Sequence, residues 1–253
     1  MSILAVEGLG KAYSGFQAVR DVSFALEAGE MLALIGPNGA GKSTCFNMIN
    51  GQLAPTSGRI TIFGRRTDGM TPREIWRLGV GRTFQITATF ASMTVAENVQ
   101  MALLSHHRRR WPALRWAARY YVGEAARLLE LVGMADQAER SCGELAYGDL
   151  KRLELAIALA NDPRLLLMDE PAAGMAPRER HALMNLTARI ARERTIGVLF
   201  TEHDMDVVFG HADRVLVLNR GMLIAEGAPS VVRASADVQA VYLGAGALYG
   251  AKP

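Results

Sequence analysis

Cysteine is nearly absent: the 253-residue chain carries two, Cys45 and Cys142. Two thiols make neither a disulfide framework nor a four-ligand zinc site, and they suit a reducing, cytoplasmic setting. An excess of one charge is also missing. The 28 Lys and Arg against 25 Asp and Glu leave a formal net charge of +3, too small to argue for nucleic acid. Aromatic residues make up only 7%, and nine prolines are too few for a linker array. Half of the residues are hydrophobic, yet no run of about 18 or more apolar residues exists, so no transmembrane helix is expected. The nearest approach, residues 153–160, is interrupted by Glu154. Residues 1–7 lack a basic leader before a long apolar stretch, so no signal peptide is expected. These absences leave a chain long enough to bury a large core, organised as one domain with an appended subdomain.

The patterning divides this chain into α/β flanks around a helical block. Short strands are expected at 3–6, 22–26, 31–35 and 59–63, with a helix at about 42–50. The run Met31-Leu32-Ala33-Leu34-Ile35 is apolar throughout, as a strand buried on both faces requires. From 94 to 160 the spacing turns helical. Val95, Val99, Ala102 and Leu103 recur at helix period, as do Ala125, Leu128, Leu129 and Val132, on either side of a basic break at His106-His107-Arg108-Arg109-Arg110-Trp111-Pro112. Strand and helix alternate again after Pro163, with strands at 165–168 and 196–200, a helix over 177–194, and a hairpin around Asn219-Arg220-Gly221. The helical block therefore reads as an insertion between two halves of one α/β domain.

Gly36-Pro37-Asn38-Gly39-Ala40-Gly41-Lys42-Ser43-Thr44 satisfies G-x-x-x-x-G-K-[ST] between a buried strand and a helix, the context that gives the pattern meaning. Glycines let the backbone curl so that amides and the helix N-terminus face an anion. Lys42 is placed to reach β- and γ-phosphates, and Ser43 to offer its hydroxyl to Mg²⁺. The pattern alone leaves kinase, GTPase and ATPase open. Further on, the apolar run 165–168 ends in Asp169-Glu170. Alternation along a strand predicts that these acids point to opposite sides and do different work. Asp169 fits the Mg²⁺ position through a water, and Glu170 fits a base that polarises an attacking water. Two acids at a strand end are ordinarily solvated; the upstream phosphate loop gives this pair its functional reading. His203, after the apolar residues 197–200, is a candidate contact to the γ-phosphate.

Together, and in this order over residues 3–244, these stretches resemble the ATP-binding subunit of an ABC transporter. Leu145-Ala146-Tyr147-Gly148-Asp149 matches the signature motif of that family, Gln85 its Q-loop glutamine, residues 172–176 its D-loop, and His203 its switch histidine. Tyr13 lies where the family stacks an aromatic on adenine. Gly81-Arg82-Thr83-Phe84-Gln85, Met93-Thr94-Val95-Ala96-Glu97-Asn98-Val99, Glu202-His203-Asp204-Met205 and Val241-Tyr242-Leu243-Gly244 are similar to the branched-chain amino-acid importer type, whose group also carries amides, urea and small carboxylic acids. A lipopolysaccharide-export ATPase has a similar layout. Two positions depart from the common pattern: Ala146 replaces the signature serine, and Ala176 stands where Asp or Asn is usual. Loss of that serine removes a donor worth about 1.5–3 kcal/mol unless backbone amides replace it. The importer type commonly reads Ala-Tyr here.

The resemblance implies a P-loop NTPase core with a mixed sheet, an antiparallel β subdomain and an inserted α-helical subdomain. The expected division is a core at 1–85 and 161–230, a helical signature subdomain at 86–160 and a C-terminal extension at 231–253. It implies ATP and Mg²⁺ as ligands, with Glu170, His203 and Gln85 in the chemistry and Ser43, Gln85 and Asp169 around the metal. The phosphate loop, Tyr13 and the signature residues would hold nucleotide. It also implies a head-to-tail pair with a second ATP-binding subunit, identical or related, in which one signature closes on the other's ATP. Multi-span permease subunits, an indirect periplasmic or extracellular solute-binding protein and a peripheral place on the inner membrane face follow, with no nucleic acid. Phe84, Phe90 and Met93 are candidates to line a permease-docking groove. A clamp that binds ATP with little turnover is the alternative that Ala146 and Ala176 motivate, and a soluble ABC protein acting on ribosomes or DNA is a third reading.

Overall fold

The computed structural model of the chain describes residues 2–83, 89–107 and 120–243. β1 (Ser2–Tyr13) and β2 (Phe16–Glu27) form a long hairpin turning at Gly15, where φ is 81°. Both strands extend well beyond the short runs expected from alternation. Register shifts between Val6 and Leu9 and between Leu9 and Lys11 interrupt the period of two, with Gly8 at φ 58°. The apolar β3 (Met31–Ile35) leads through the Gly-rich turn into α1 (Lys42–Ile49). β4 (Ser57–Ile62) then pairs antiparallel with β1, and the short β5 (Arg65–Arg66) completes a four-stranded sheet in the order β2-β1-β4-β5. α2 (Pro72–Arg77) opens on a capping box: Glu74 donates its amide to Thr71 Oγ1, while Thr71 donates its own to Glu74 Oε2.

β6 (Val80–Thr83) is a strand that composition hides, since Gly81 and Arg82 occupy half of it. The helices α3 (Val95–His106), α4 (Val122–Leu131) and α5 (Tyr147–Leu159) follow, packed on one another. α3 starts on a second capping box, from Thr94 and Glu97. β7 (Leu165–Asp169), α6 (Pro177–Arg194), β8 (Gly197–Thr201), α7 (Met205–His211), β9 (Arg214–Asn219) and β10 (Met222–Gly227) restore the alternation. α8 (Pro229–Ala234) and α9 (Ala236–Leu243) end the described chain. The second sheet runs β10-β9-β3-β8-β7-β6, parallel except for β10. The expected hairpin turns between β9 and β10 on two residues, Arg220 and Gly221, at φ 47° and 80°.

This mixed sheet separates two hydrophobic cores, and strand parity assigns each side chain. Leu32 and Leu34 of β3, Leu165 and Leu167 of β7 and Leu199 of β8 face the antiparallel sheet together with Cys45 and Phe46 of α1. Met31, Ala33, Ile35, Leu166, Met168, Val198 and Phe200 face the other core, with α3 to α7 and α9. The central strands are apolar throughout because they are covered on both faces. Parity then carries Asp169 to the same side as Leu165 and Leu167, the side on which α1 lies. No helix among the described residues is long and apolar enough to cross a membrane.

Candidate functional site

The site is built where β3 and β7 end. Gly36, Gly39 and Gly41 adopt φ values of 152°, 78° and 104°, which turn the loop back over its own strand. A Cβ on Gly36 would stand 2.2 Å from the Leu218 carbonyl oxygen, and one on Gly41 2.7 Å from that of Ala18, whereas one on Gly39 would meet nothing within 4 Å. Gly36→Ala is therefore expected to displace the loop and abolish nucleotide binding. Gly39→Ala is expected to cost only the left-handed backbone penalty, about 1 kcal/mol of stability. Nucleotide titration and thermal denaturation of both variants check this; tight binding by Gly36→Ala would refute the packing argument.

Lys42 is buried and folds its ammonium back onto the loop, donating to the Gly36 carbonyl at 2.7 Å and the Pro37 carbonyl at 3.2 Å. Burial holds its pKa below the usual lysine value, against the opposing pull of the Glu170 and Asp169 charges. Gly41 at the N-cap of α1 has no side chain to occupy the first-turn amides. Those amides, the positive end of the helix and the ammonium make a cradle for a polyanion. Ser43 at its edge is exposed. Behind it Cys45 is buried and its thiol is pushed up to about 12, so it serves as packing.

The two carboxylates separate differently from the expected strand alternation. β7 ends at Asp169, and Glu170 turns out of it in the left-handed region at φ 49°. A non-glycine residue held there costs roughly 1–3 kcal/mol, strain that the surrounding bonds must offset. They are visible: the Glu170 amide donates to Thr201 O and to Thr201 Oγ1, each at 3.1 Å, while the Thr201 hydroxyl donates to Asp169 Oδ1 at 2.6 Å. One buried threonine at the end of β8 thus orients both acids. The Glu170 side chain reaches across to His203, with Oε1 and Nε2 2.7 Å apart.

Tyr13, Asn38, Gly39, Ala40, Gly41, Lys42, Ser43, Thr44, Glu170 and His203 line one pocket of about 360 Å³, with Phe16 and Ala18. Gly36 and Pro37 lie behind it as acceptors for Lys42, and Asp169 stands beside it through Thr201. Tyr13, 48% exposed, and Phe16, 63% exposed, flank the hairpin turn and line the pocket. Gln85, with Phe84 and residues 86–88, lies outside the described residues, as do Arg108, Arg109, Arg110 and Trp111.

None of Leu145, Ala146, Tyr147, Gly148 and Asp149 is among the described residues lining that pocket. Leu145 is buried, while Ala146 and Tyr147 are exposed. Ala146 is the N-cap of α5 and offers no side-chain acceptor, so the first-turn amides there are not taken by a cap. Asp149 accepts from Gln137 Nε2 at 3.2 Å. Tyr147 donates its hydroxyl to the Ala173 carbonyl at 3.1 Å, and Gly148 lies so close to α6 that a Cβ would touch the Glu179 carboxylate at 3.4 Å. This segment is therefore bound to the turn that follows Glu170 in its own chain.

Sequence reasoning assigned no role to Thr201, Glu202, Phe16 or Ala18. Glu202 is buried yet accepts the amides of Ala172 at 2.8 Å and His203 at 3.2 Å; burial pushes its carboxyl above the usual range, against those two bonds. The available signal was adjacency, since Thr201-Glu202 directly precede His203 at the end of a buried strand.

The family model described as ABC transporter matches residues 19–173. The chain is 40% identical over 252 residues to the high-affinity branched-chain amino acid transport ATP-binding protein LivG of Salmonella typhimurium, covering 96% of this chain and 98% of that one. Its identity to the similarly described BraF of Pseudomonas aeruginosa is 40% over 249 residues, with the same coverage. Among solved structures, an ATP-binding cassette of an ABC transporter in its ADP conformation superposes with a TM-score of 0.86 at 32% identity, covering 96% of this chain and 99% of that chain. A nucleotide-free cassette gives 0.83 at 30%, with the same coverage.

Proposed function

The chain belongs to the ABC transporter family of ATP-binding subunits, and from that premise we propose that it hydrolyses ATP to drive an importer of branched-chain amino acids or related small hydrophobic, amide or carboxylate solutes. The observation that carries the catalytic part is the 2.7 Å contact between Glu170 and His203 at the wall of the same pocket that the phosphate loop lines. The solute class rests on the names of the relatives LivG and BraF, matched over 96% of this chain.

In this reading Lys42 and the loop amides hold the β- and γ-phosphates, and Tyr13 stacks on the base. Glu170 accepts a proton from the attacking water while His203 holds that carboxylate and faces the γ-phosphate. The exposed Ser43 hydroxyl and the Asp169 carboxylate are hard oxygen donors that suit Mg²⁺, and Gln85 joins them by its place in the motif order. Bound there, the ion would neutralise phosphate charge.

The site is incomplete within one chain. The first-turn amides of α5 have no side-chain cap and lie outside the lining of this pocket; in a head-to-tail pair they would meet the nucleotide of a second ATP-binding subunit. Backbone donors there take the place of the serine hydroxyl that Ala146 lacks. Closing such a pair excludes water from the phosphates, which strengthens every fixed donor around them. ATP drives the cycle only through its difference in affinity for open and closed pairs. The remaining subunits would be multi-span permeases, placing this chain peripherally on the inner membrane face.

The test is co-purification. The chain is expected to come down with a multi-span permease, and its ATPase activity in that complex to rise when a solute-binding protein loaded with leucine, isoleucine or valine is added. Capture of no membrane protein would overturn the transport reading, and stimulation by a lipid-linked glycan would replace import with export.

A further inference from the structure

Arg180 lies outside the pocket, on the first turn of α6, and the chemistry proposed for the site gives it no task. Its guanidinium nonetheless donates in two directions. Nε donates to the Met175 carbonyl at 2.7 Å, and Nη1 donates to Asp204 Oδ2 as an ion pair. The two acceptors are the informative part. Met175 closes the turn that begins at Glu170, a turn held by bonds from the Ala173 amide to Glu170 O and from the Met175 amide to Ala172 O. Asp204 follows His203 directly, and its other oxygen caps α7 by accepting the amides of Asp206 at 3.0 Å and Val207 at 3.3 Å. One planar group therefore fastens the chain downstream of Glu170 to the chain downstream of His203.

The same two segments are joined a second time from inside, where buried Glu202 accepts the amides of Ala172 and His203. Between these two bridges the Glu170–His203 contact has little freedom to open. Losing the outer bridge leaves the phosphate loop untouched but frees the turn and the start of α7 to move apart. A reacting group displaced by about 1 Å loses on the order of a hundredfold in rate.

We propose that Arg180, paired with Asp204, is a positioning residue for hydrolysis, holding Glu170 and His203 in register by fastening their two backbone segments together. The proposal rests on the reading of Glu170 and His203 as the hydrolytic pair. A lysine replaces this arginine only in part, because a single ammonium lacks the fork that reaches two acceptors in fixed directions. Both partners are about 29% exposed, so their loss removes an anchor without leaving a deeply buried charge.

The experiment uses the full chain with Arg180→Ala, Arg180→Lys, Asp204→Asn, the Arg180→Ala/Asp204→Asn double variant and Glu170→Gln. Turnover is measured by phosphate release and affinity by ATP titration. Asp204→Asn keeps an oxygen for the α7 cap, so it reports on the bridge even where Arg180→Ala folds poorly. Arg180→Ala and Asp204→Asn are each expected to lower kcat roughly 10- to 100-fold with ATP affinity within about twofold of the parent, and Arg180→Lys to recover only part of the loss. The double variant is expected to be no slower than the slower single variant. Parental kcat in Arg180→Ala and Asp204→Asn, beside an inactive Glu170→Gln, would overturn the bridge. Losses that multiply in the double variant, or that fall on affinity instead of kcat, would do the same. Parental turnover by Glu170→Gln would overturn the hydrolytic reading beneath it.

Discussion

Glu170→Gln is expected to bind ATP, accumulate as the closed pair and hydrolyse on the order of 10² to 10⁴ times more slowly than the parent, the usual contribution of a general base. The substitution isolates chemistry from folding. Glutamine is nearly isosteric with glutamate, its side-chain oxygen still faces His203 Nε2, and the Thr201 bonds that hold residue 170 at φ 49° come from the backbone amide. What disappears is the capacity to take a proton, together with one negative charge beside the phosphates. Removing that charge favours retention of ATP, so affinity should stay level or rise while turnover falls. Single-turnover hydrolysis and size-exclusion chromatography with ATP measure the two halves of this result. Hydrolysis at the parental rate would remove Glu170 from its role and leave its contact with His203 as a structural bond.

Lys42→Ala is expected to act on the opposite quantity. The Lys42 ammonium already sits at the loop, held by the Gly36 and Pro37 carbonyls, so it is oriented before nucleotide arrives. A charge-assisted bond to phosphate contributes about 1.5–3 kcal/mol, and its loss lowers ATP affinity roughly 10- to 100-fold. The variant also loses the tie between α1 and the loop that begins at Gly36, which loosens the amide cradle. Equilibrium titration with ATP is the measurement, and affinity equal to the parent's would contradict the phosphate-loop reading. The contrast between the two variants is diagnostic: Lys42→Ala should fail to fill the site, and Glu170→Gln should fill it without emptying it.

Most of the pieces involved in these predictions are local in sequence and could be read there. The loop at 36–44 carries its own glycines, lysine and hydroxyls, and the structure turns it at Gly36, Gly39 and Gly41 with positive φ. The apolar strands β3, β7 and β8 were legible because each is covered on both faces, and α6 was legible to its end residues. β1 and β2 were underestimated because bulges break the alternation that marks a strand, and β6 was overlooked because glycine and arginine fill half of it. The separation of Asp169 from Glu170 was anticipated for the wrong reason: a left-handed turn achieves it, where a continuing strand was expected. Thr201 belongs to no motif, and Glu202 entered only as a member of the stretch around His203, with no role of its own. Their importance arises only from what they face.

Sequence by itself determined the chemical inventory of this protein: a glycine-rich loop with its lysine, two acids after a buried strand, a histidine after the next, and a helical block between two strand-bearing halves. Tertiary structure decided which of these meet. Glu170 and His203 are 33 residues apart and touch because β7 and β8 lie side by side in parallel, with Asp169 opposite Thr201. Arg180 and Asp204, 24 residues apart, join the turns beyond them. A parallel pairing requires a crossover, here through α6, so it brings side by side residues that are far apart along the chain. That non-local register sets the short contacts on which the proposed hydrolysis depends.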